Sequence, residues 1–183
     1  LIAPLDWGLG HATRCVPVIH ELIKLGVTVI IAAEAAVKVV LKNEFPAVEI
    51  IPLKGYEINY SKTKARFFSK LIMQSPKIIK AINYEHHWLT RFLKNNAIDA
   101  VISDNRFGLW TKTVPCVYIT HQLNLHSPNF ALTILGQKVH YSFINRYTEC
   151  WVPDYEENGI AGKLSHPIHP PKTPLKYIGP LSR

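Results

Sequence analysis

Residues 4–14, Pro-Leu-Asp-Trp-Gly-Leu-Gly-His-Ala-Thr-Arg, constrain this chain more than any other stretch. The apolar run of residues 1–5 leads into them. A helical pattern over residues 12–25 leads out, and Gly26 stands where a helix C-terminal glycine sits. Strand, glycine-rich turn and helix predict the first unit of an α/β fold with a ligand site at the strand end. Gly8 and Gly10 admit close approach of a ligand to the backbone. The helix N-terminus behind them offers N–H groups and a positive dipole end to a phosphate or a developing anion. His11 lies between turn and helix, where a neutral imidazole can take a proton near neutral pH. The alternative is a turn that only packs, with His11 in solvent.

Two phosphate-binding fingerprints fail here. A dinucleotide turn wants Gly-x-Gly-x-x-Gly/Ala, and Thr13 occupies the third position. Glu34, after the second apolar run, keeps an NAD-dependent oxidoreductase open as a weaker alternative. A P-loop needs Gly-Lys-Ser/Thr, and none follows Gly10.

Further apolar runs repeat the opening pattern. Residues 27–33, 48–53, 100–103, 115–120 and 149–153 read as strands, and residues 177–183 as a last short strand and turn. Residues 35–42 read as a short helix ended by Phe45-Pro46. Ser75 as N-cap and Pro76 in the first turn begin a long helix that Asn95-Asn96 ends. Its apolar face carries Ile78, Ile79, Ile82, Leu89, Phe92 and Leu93. Residues 129–147 read as a helix with Phe130, Leu135 and Phe143 in the core, and residues 156–174 as an irregular loop with His166 and His169 in solvent. Strands alternating with helices at this spacing predict a parallel sheet with helices on both faces. The chain of 183 residues, 48% of them hydrophobic, suffices for one such domain.

The net charge of +8, from 21 Lys+Arg against 13 Asp+Glu, favours anionic partners. Cys15, Cys116 and Cys150 are far apart and lack metal-site spacing, so they are expected to be buried thiols in a reducing cytoplasm, with no metal bound. No segment reads as a signal peptide, and no apolar run nears about 18 residues, so no spanning helix is predicted. Residues 66–80 mix apolar side chains with Arg66, Lys70, Lys77 and Lys80. They are expected either to meet an anionic membrane surface peripherally or to cover the sheet as amphipathic helices.

In parallel sheets, ligands bind beyond the C-terminal strand ends. Three polar groups fall there: residues 8–14, 103–106 and 120–124. Asp104 either orients an imidazole, binds a ligand hydroxyl, or caps its turn. His121 and Asn124 either bond a sugar or pyrophosphate or hold their own loop; Arg106 and His126 are weaker candidates.

The turn Gly8-Leu9-Gly10-His11-Ala12-Thr13-Arg14, followed by a helix and Gly26, resembles the start of the GT-B glycosyltransferases. The resemblance is nearest to the family 28-like branch, with the UDP-N-acetylglucosamine transferase of lipid II synthesis. Thr120-His121-Gln122-Leu123-Asn124 is similar to the His-Glu-Gln-Asn segment of that branch, though Gln122 and Leu123 replace its glutamate and glutamine. Asp6-Trp7 also departs from its Gly and Thr. The resemblance implies a Rossmann-like domain over residues 1–183, the acceptor-side N-terminal half of a two-domain bacterial enzyme. The C-terminal donor-binding domain would lie outside this chain. It further implies that the glycines and His11 form the acceptor-side catalytic loop and that His121 and Asn124 line the cleft.

The expected activity is transfer of a sugar from a nucleotide donor, UDP-linked by the resemblance, to an acceptor hydroxyl, with a lipid-linked acceptor among the candidates, and with no cofactor. His11 would serve as base and Asp104 as its orienter. Gly8, Gly10, Thr13, Arg14, His121 and Asn124 would bind substrate or phosphate, with N–H groups of residues 10–13 meeting negative charge. Hydrolysis of a nucleotide sugar, using the same His11, is the alternative. A non-catalytic ligand- or nucleic-acid-binding domain is the other, although no nucleic-acid recognition motif is present.

Overall fold

The computed structural model describes residues 1–56, 74–126 and 129–181. Seven strands form one parallel sheet: β1 (Ile2–Pro4), β2 (Ile30–Ala32), β3 (Glu49–Ile51), β4 (Val101–Asp104), β5 (Cys116–Ile119), β6 (Glu149–Val152) and β7 (Leu175–Tyr177). Their order is β3-β2-β1-β4-β5-β6-β7. Chain direction across the sheet therefore reverses between β1 and β4, which pair with Ile2 against Ile102 and Pro4 against Asp104. Among the described residues the helices are α1 (Leu9–Lys24), α2 (Ala35–Glu44), α3 (Ser75–Asn95) and α4 (Phe130–Ile144), with a short 3₁₀ turn at Gly162–Leu164.

Alternating strand residues face two cores. Ile2, Ile31, Ile102, Val117 and Ile119 pack with Cys15, Val16 and Ile19 of α1 and Val37 and Leu41 of α2. Ala3, Ala32, Val101, Tyr118 and Cys150 pack on the other face with Leu89 of α3 and Ile144 of α4. Both faces are covered, as an all-parallel sheet requires. Each fully buried aliphatic side chain, Ile19, Leu41 or Leu89, contributes roughly 1.5–3 kcal/mol.

Helix α1 stops as expected. Gly26 has φ +78°, its N–H bonds Ile23 O at 2.9 Å, and the N–H of Val27 bonds Leu22 O at 2.9 Å. This double bond closes the helix with a left-handed residue that favours glycine. Asn96 ends α3, its side-chain amide on Phe92 O at 2.9 Å.

Several expectations need correction. Helix α1 begins at Leu9 with Gly8 as cap, so Gly10 and His11 sit in its first turn rather than before it. Gln74 caps α3 in place of Ser75. Ile79 is 53% exposed, while Ile82 and Leu89 carry the buried face. Phe130 and Leu135 are 79% and 60% exposed, and α4 buries His140 and Ile144 instead. The last strand lies at Leu175–Tyr177, earlier than residues 177–183. Val27 is exposed, so β2 is shorter than the apolar run that contains it. The three cysteines are free thiols and buried. Residues 66–73 of the expected membrane-facing stretch lie outside the described residues. Among the described residues, no helix is long and apolar enough to cross a membrane.

Candidate active site

The site stands where β1 and β4 end side by side, at the reversal of strand order. This is where a sheet of this kind leaves a crevice. The N–H of Leu5 bonds Asp104 O at 3.0 Å, extending the pairing one residue past β1. The chain then turns through Asp6 and Trp7. Gly8, at φ +84°, directs it into α1, a conformation that side chains rarely adopt. A Cβ at Gly10 would meet nothing within 4 Å, so its missing side chain leaves open space above the helix start.

The spacing of His11, Arg14 and Cys15 puts all three on one face of α1. That face points at Asp104, whose side chain is fully buried. Nδ1 of His11 is 2.9 Å from Asp104 Oδ2, and Arg14 Nη2 pairs with Asp104 Oδ1. Arg14 Nη1 donates to Nδ1 of His121 at 2.9 Å, bringing in the end of β5. The Cys15 thiol lies 3.8 Å from Asp104 Oδ2, and burial followed by the Asp104 charge pushes it well above the usual thiol range. Burial, then the Arg14 cation, holds His121 below the usual histidine value, leaving it neutral near pH 7. The His11 side chain stays 18% exposed, so its ring retains access to solvent.

Gly10, Thr13, Arg14 and His121 line an open cleft of about 550 Å³, faced by Asp154, Ile160 and Leu181. His11 is not among the lining residues but touches Arg14 at 2.8 Å. Helix geometry leaves the N–H groups of Leu9, Gly10 and His11 without intrahelical acceptors, whereas that of Thr13 belongs to the helical ladder. The expected anion-facing set therefore moves to residues 9–11. The Thr13 hydroxyl bonds back to Leu9 O and Gly10 O, both at 3.2 Å. Arg14 has both terminal nitrogens engaged by protein groups. Asn124 turns its amide nitrogen to Lys163 O and to His166 O, the latter at 3.3 Å, and so holds its own loop.

Sequence reasoning missed two structural devices around this site. Asp154, just past β6, accepts from the N–H groups of Tyr155 (2.9 Å), Ile160 (2.7 Å) and Ala161 (3.1 Å) and from the Ser165 hydroxyl (2.6 Å). Burial raises its pKa, and these four donors outweigh that and bring it to about 2. It shapes the far wall of the cleft. An aspartate directly after a strand and before a Gly/Asn-rich loop was the available signal. His166, expected in solvent, stacks on Tyr177 at 5.0 Å and sits between the carbonyls of Gly162 and Glu156, both at 3.0 Å.

The second device supports the near wall. Arg106 is buried with Nε on Glu85 Oε1 at 2.7 Å, Nη1 on Pro4 O at 3.3 Å and Nη2 on Lys54 O. The other Glu85 oxygen accepts from Tyr56 OH at 2.8 Å and from the N–H of Gly108 at 2.9 Å. Arg106 therefore fixes the end of β1 and makes no opening to the cleft. Among the described residues, no group of three His, Cys, Asp or Glu is placed to hold a metal ion.

The parallel sheet, its order and its strand-end crevice define a Rossmann-like α/β domain of the GT-B fold. Among solved structures, the chain is similar to apo UGT2 of Phytolacca americana, with TM-score 0.59 and 14% identity over 98% of this chain and 51% of that one. It is likewise similar to a UDP-glucosyltransferase from Polygonum tinctorium capable of glucosylating indoxyl, solved in complex with 3,4-dichloroaniline. There the TM-score is 0.59 and identity 13%, over 98% of this chain and 52% of that one. The chain thus spans about half the length of the structures it matches. No protein-family model matches the sequence, and no protein of curated function does.

Proposed function

We propose that this chain is the acceptor-side half of a glycosyltransferase that moves a sugar from a nucleotide-sugar donor to an acceptor hydroxyl. The observation that carries the reading is the contact of His11 with buried Asp104 at the junction of β1 and β4. An imidazole with its Nδ1 proton on a carboxylate keeps a lone pair on Nε2. It can then take a proton from a hydroxyl as that oxygen attacks the sugar carbon. Asp104 stabilises the imidazolium that forms, as the buried aspartate does in hydrolase triads. The open N–H groups of residues 9–11 meet negative charge developing on the departing phosphate. A second α/β domain, outside this chain, would hold most of the nucleotide. UDP-glucose is the first donor to test, because a neighbour of the same fold uses UDP and glucose by its description.

The test uses the full-length protein with UDP-, GDP- and TDP-sugars and a panel of hydroxyl acceptors, including lipid-linked ones. Glycosylated product is expected. Free sugar in its place would make the activity hydrolysis at the same His11. Replacing His11→Ala should lower kcat by about 10²–10⁴-fold, the usual contribution of a general base, with unfolding still cooperative. A kcat within about threefold of wild type, far short of that contribution, would remove His11 from the chemistry.

A further inference from the structure

We infer that Arg14 is a positioning residue that fixes His121 with its proton on Nε2, the tautomer opposite to that of His11, whose proton Asp104 holds on Nδ1. A guanidinium has five N–H donors and no acceptor. An imidazole nitrogen 2.9 Å from Arg14 Nη1 must therefore be the bare one, which puts the His121 proton on Nε2. A carboxylate only accepts, so the His11 nitrogen 2.9 Å from Asp104 Oδ2 must carry its proton.

Arg14 Nη2 also lies 2.8 Å from that same His11 nitrogen. One Nδ1 cannot donate to Asp104 and accept from Arg14 together. The bond to Asp104 prevails: both alternatives are charge-assisted, but without the His11 proton Oδ2 would be left with the weak Cys15 thiol donor at 3.8 Å. Nη2 has Asp104 Oδ1 as its own acceptor. Arg14 thus acts on His11 through Asp104, neutralising the buried carboxylate, and on His121 directly. Burial and the Arg14 charge keep His121 neutral, so the assigned tautomer is the form present near pH 7.

The consequence is a division of labour at one place. His11 offers a proton-accepting Nε2, and His121 offers a proton-donating Nε2–H. A ligand atom bonded to His121 Nε2–H must then be an acceptor, such as the oxygen of a hydroxyl or a phosphate, and not a cationic or N–H group. The catalytic use of this pair rests on the transferase reading, but the tautomers are read without turnover, so the two can fail separately.

The experiment is nitrogen-15 NMR of the histidine rings in the 183-residue chain, with arginine and histidine labelled. In the wild type, His11 should show the Nδ1–H pattern and His121 the Nε2–H pattern, with a nitrogen–nitrogen coupling across the Arg14–His121 bond. Either histidine in the other tautomer overturns the inference, as does absence of that coupling at a temperature where the ring signals are sharp. A second measurement uses Arg14→Met combined with Asp104→Asn, which leaves neither charge buried alone. His121 should then populate both tautomers. A His121 that keeps its proton on Nε2 in this folded variant would show that other groups set it.

Discussion

His140 gives the sharpest quantitative expectation. Helix α4 buries it to 9% exposure against the edge of the Phe107 ring, with centroids 5.6 Å apart and planes at 87°. Its Nδ1 is buried with no hydrogen-bond partner among the described residues. Burial disfavours the charged ring and lowers its pKa from 6.5 to about 4. The unfolded chain therefore binds a proton at higher pH than the folded one. Between those values stability rises with pH, and acidification through the same window removes it. The full interval corresponds to about 3 kcal/mol, of which about 2 kcal/mol is lost between about pH 7 and 5. Urea unfolding of wild type and His140→Phe should be compared across that range. The phenyl ring keeps the aromatic contacts and does not titrate. The wild-type stability should fall by about 2 kcal/mol more than that of the variant. Parallel pH dependences would refute the reasoning, because they would mean that the folded protein accommodates the imidazolium without cost.

Acid should act on the cleft wall as well. The Asp154 pKa is depressed to about 2, so its contribution is present above the ordinary carboxylate value and lost as pH falls through that window. Asp154→Asn should flatten the acid limb of the unfolding curve between about pH 4 and 2; an unchanged limb would count against this role. Glu85→Ala leaves the Arg106 cation buried without its carboxylate and should cost about 3–5 kcal/mol in urea unfolding, whereas a loss below about 1 kcal/mol, the range of an exposed pair, would mean that the pair is not buried in solution.

The fold and half of the site were legible because they follow from local signals. Continuous apolar runs mark strands buried on both faces, and the glycines with His11 and Asp104 fall at strand ends, where a parallel sheet gathers its polar groups. What was not legible depends on distant partners. Helix α4 spreads apolar residues over all its sides, so periodicity could not choose between Phe130 and Ile144 as its inner face. Arg106 reads as a weaker ligand-binding candidate, and nothing in the sequence marks Glu85 as its partner until the fold brings them together. Asn124 sits in the expected place, but the loop at residues 163–166 takes up its amide. The Arg14 contact to His121 was hidden for a related reason: the spacing of Arg14 from His11 is visible in the sequence, while His121 lies 107 residues away.

Arg106 ties together segments that are remote along the chain, reaching Glu85, Lys54 and Pro4 across 21, 52 and 102 residues. The three bonds exist together only when the end of β1, Lys54 after β3, α3 and the end of β4 are all in place. The strand-end loops around the crevice therefore lack a way to fray one at a time. Local opening there requires separating the whole buried group, so the free energy of opening should approach that of global unfolding. The amide protons of Phe107, bonded to Tyr56 OH, and Gly108, bonded to Glu85 Oε2, report this directly. Although they lie in a loop, their hydrogen exchange should be as slow as that of the central strands. The base of the crevice would then be a rigid floor for chemistry, and any adaptation to different ligands would fall to the opposite wall.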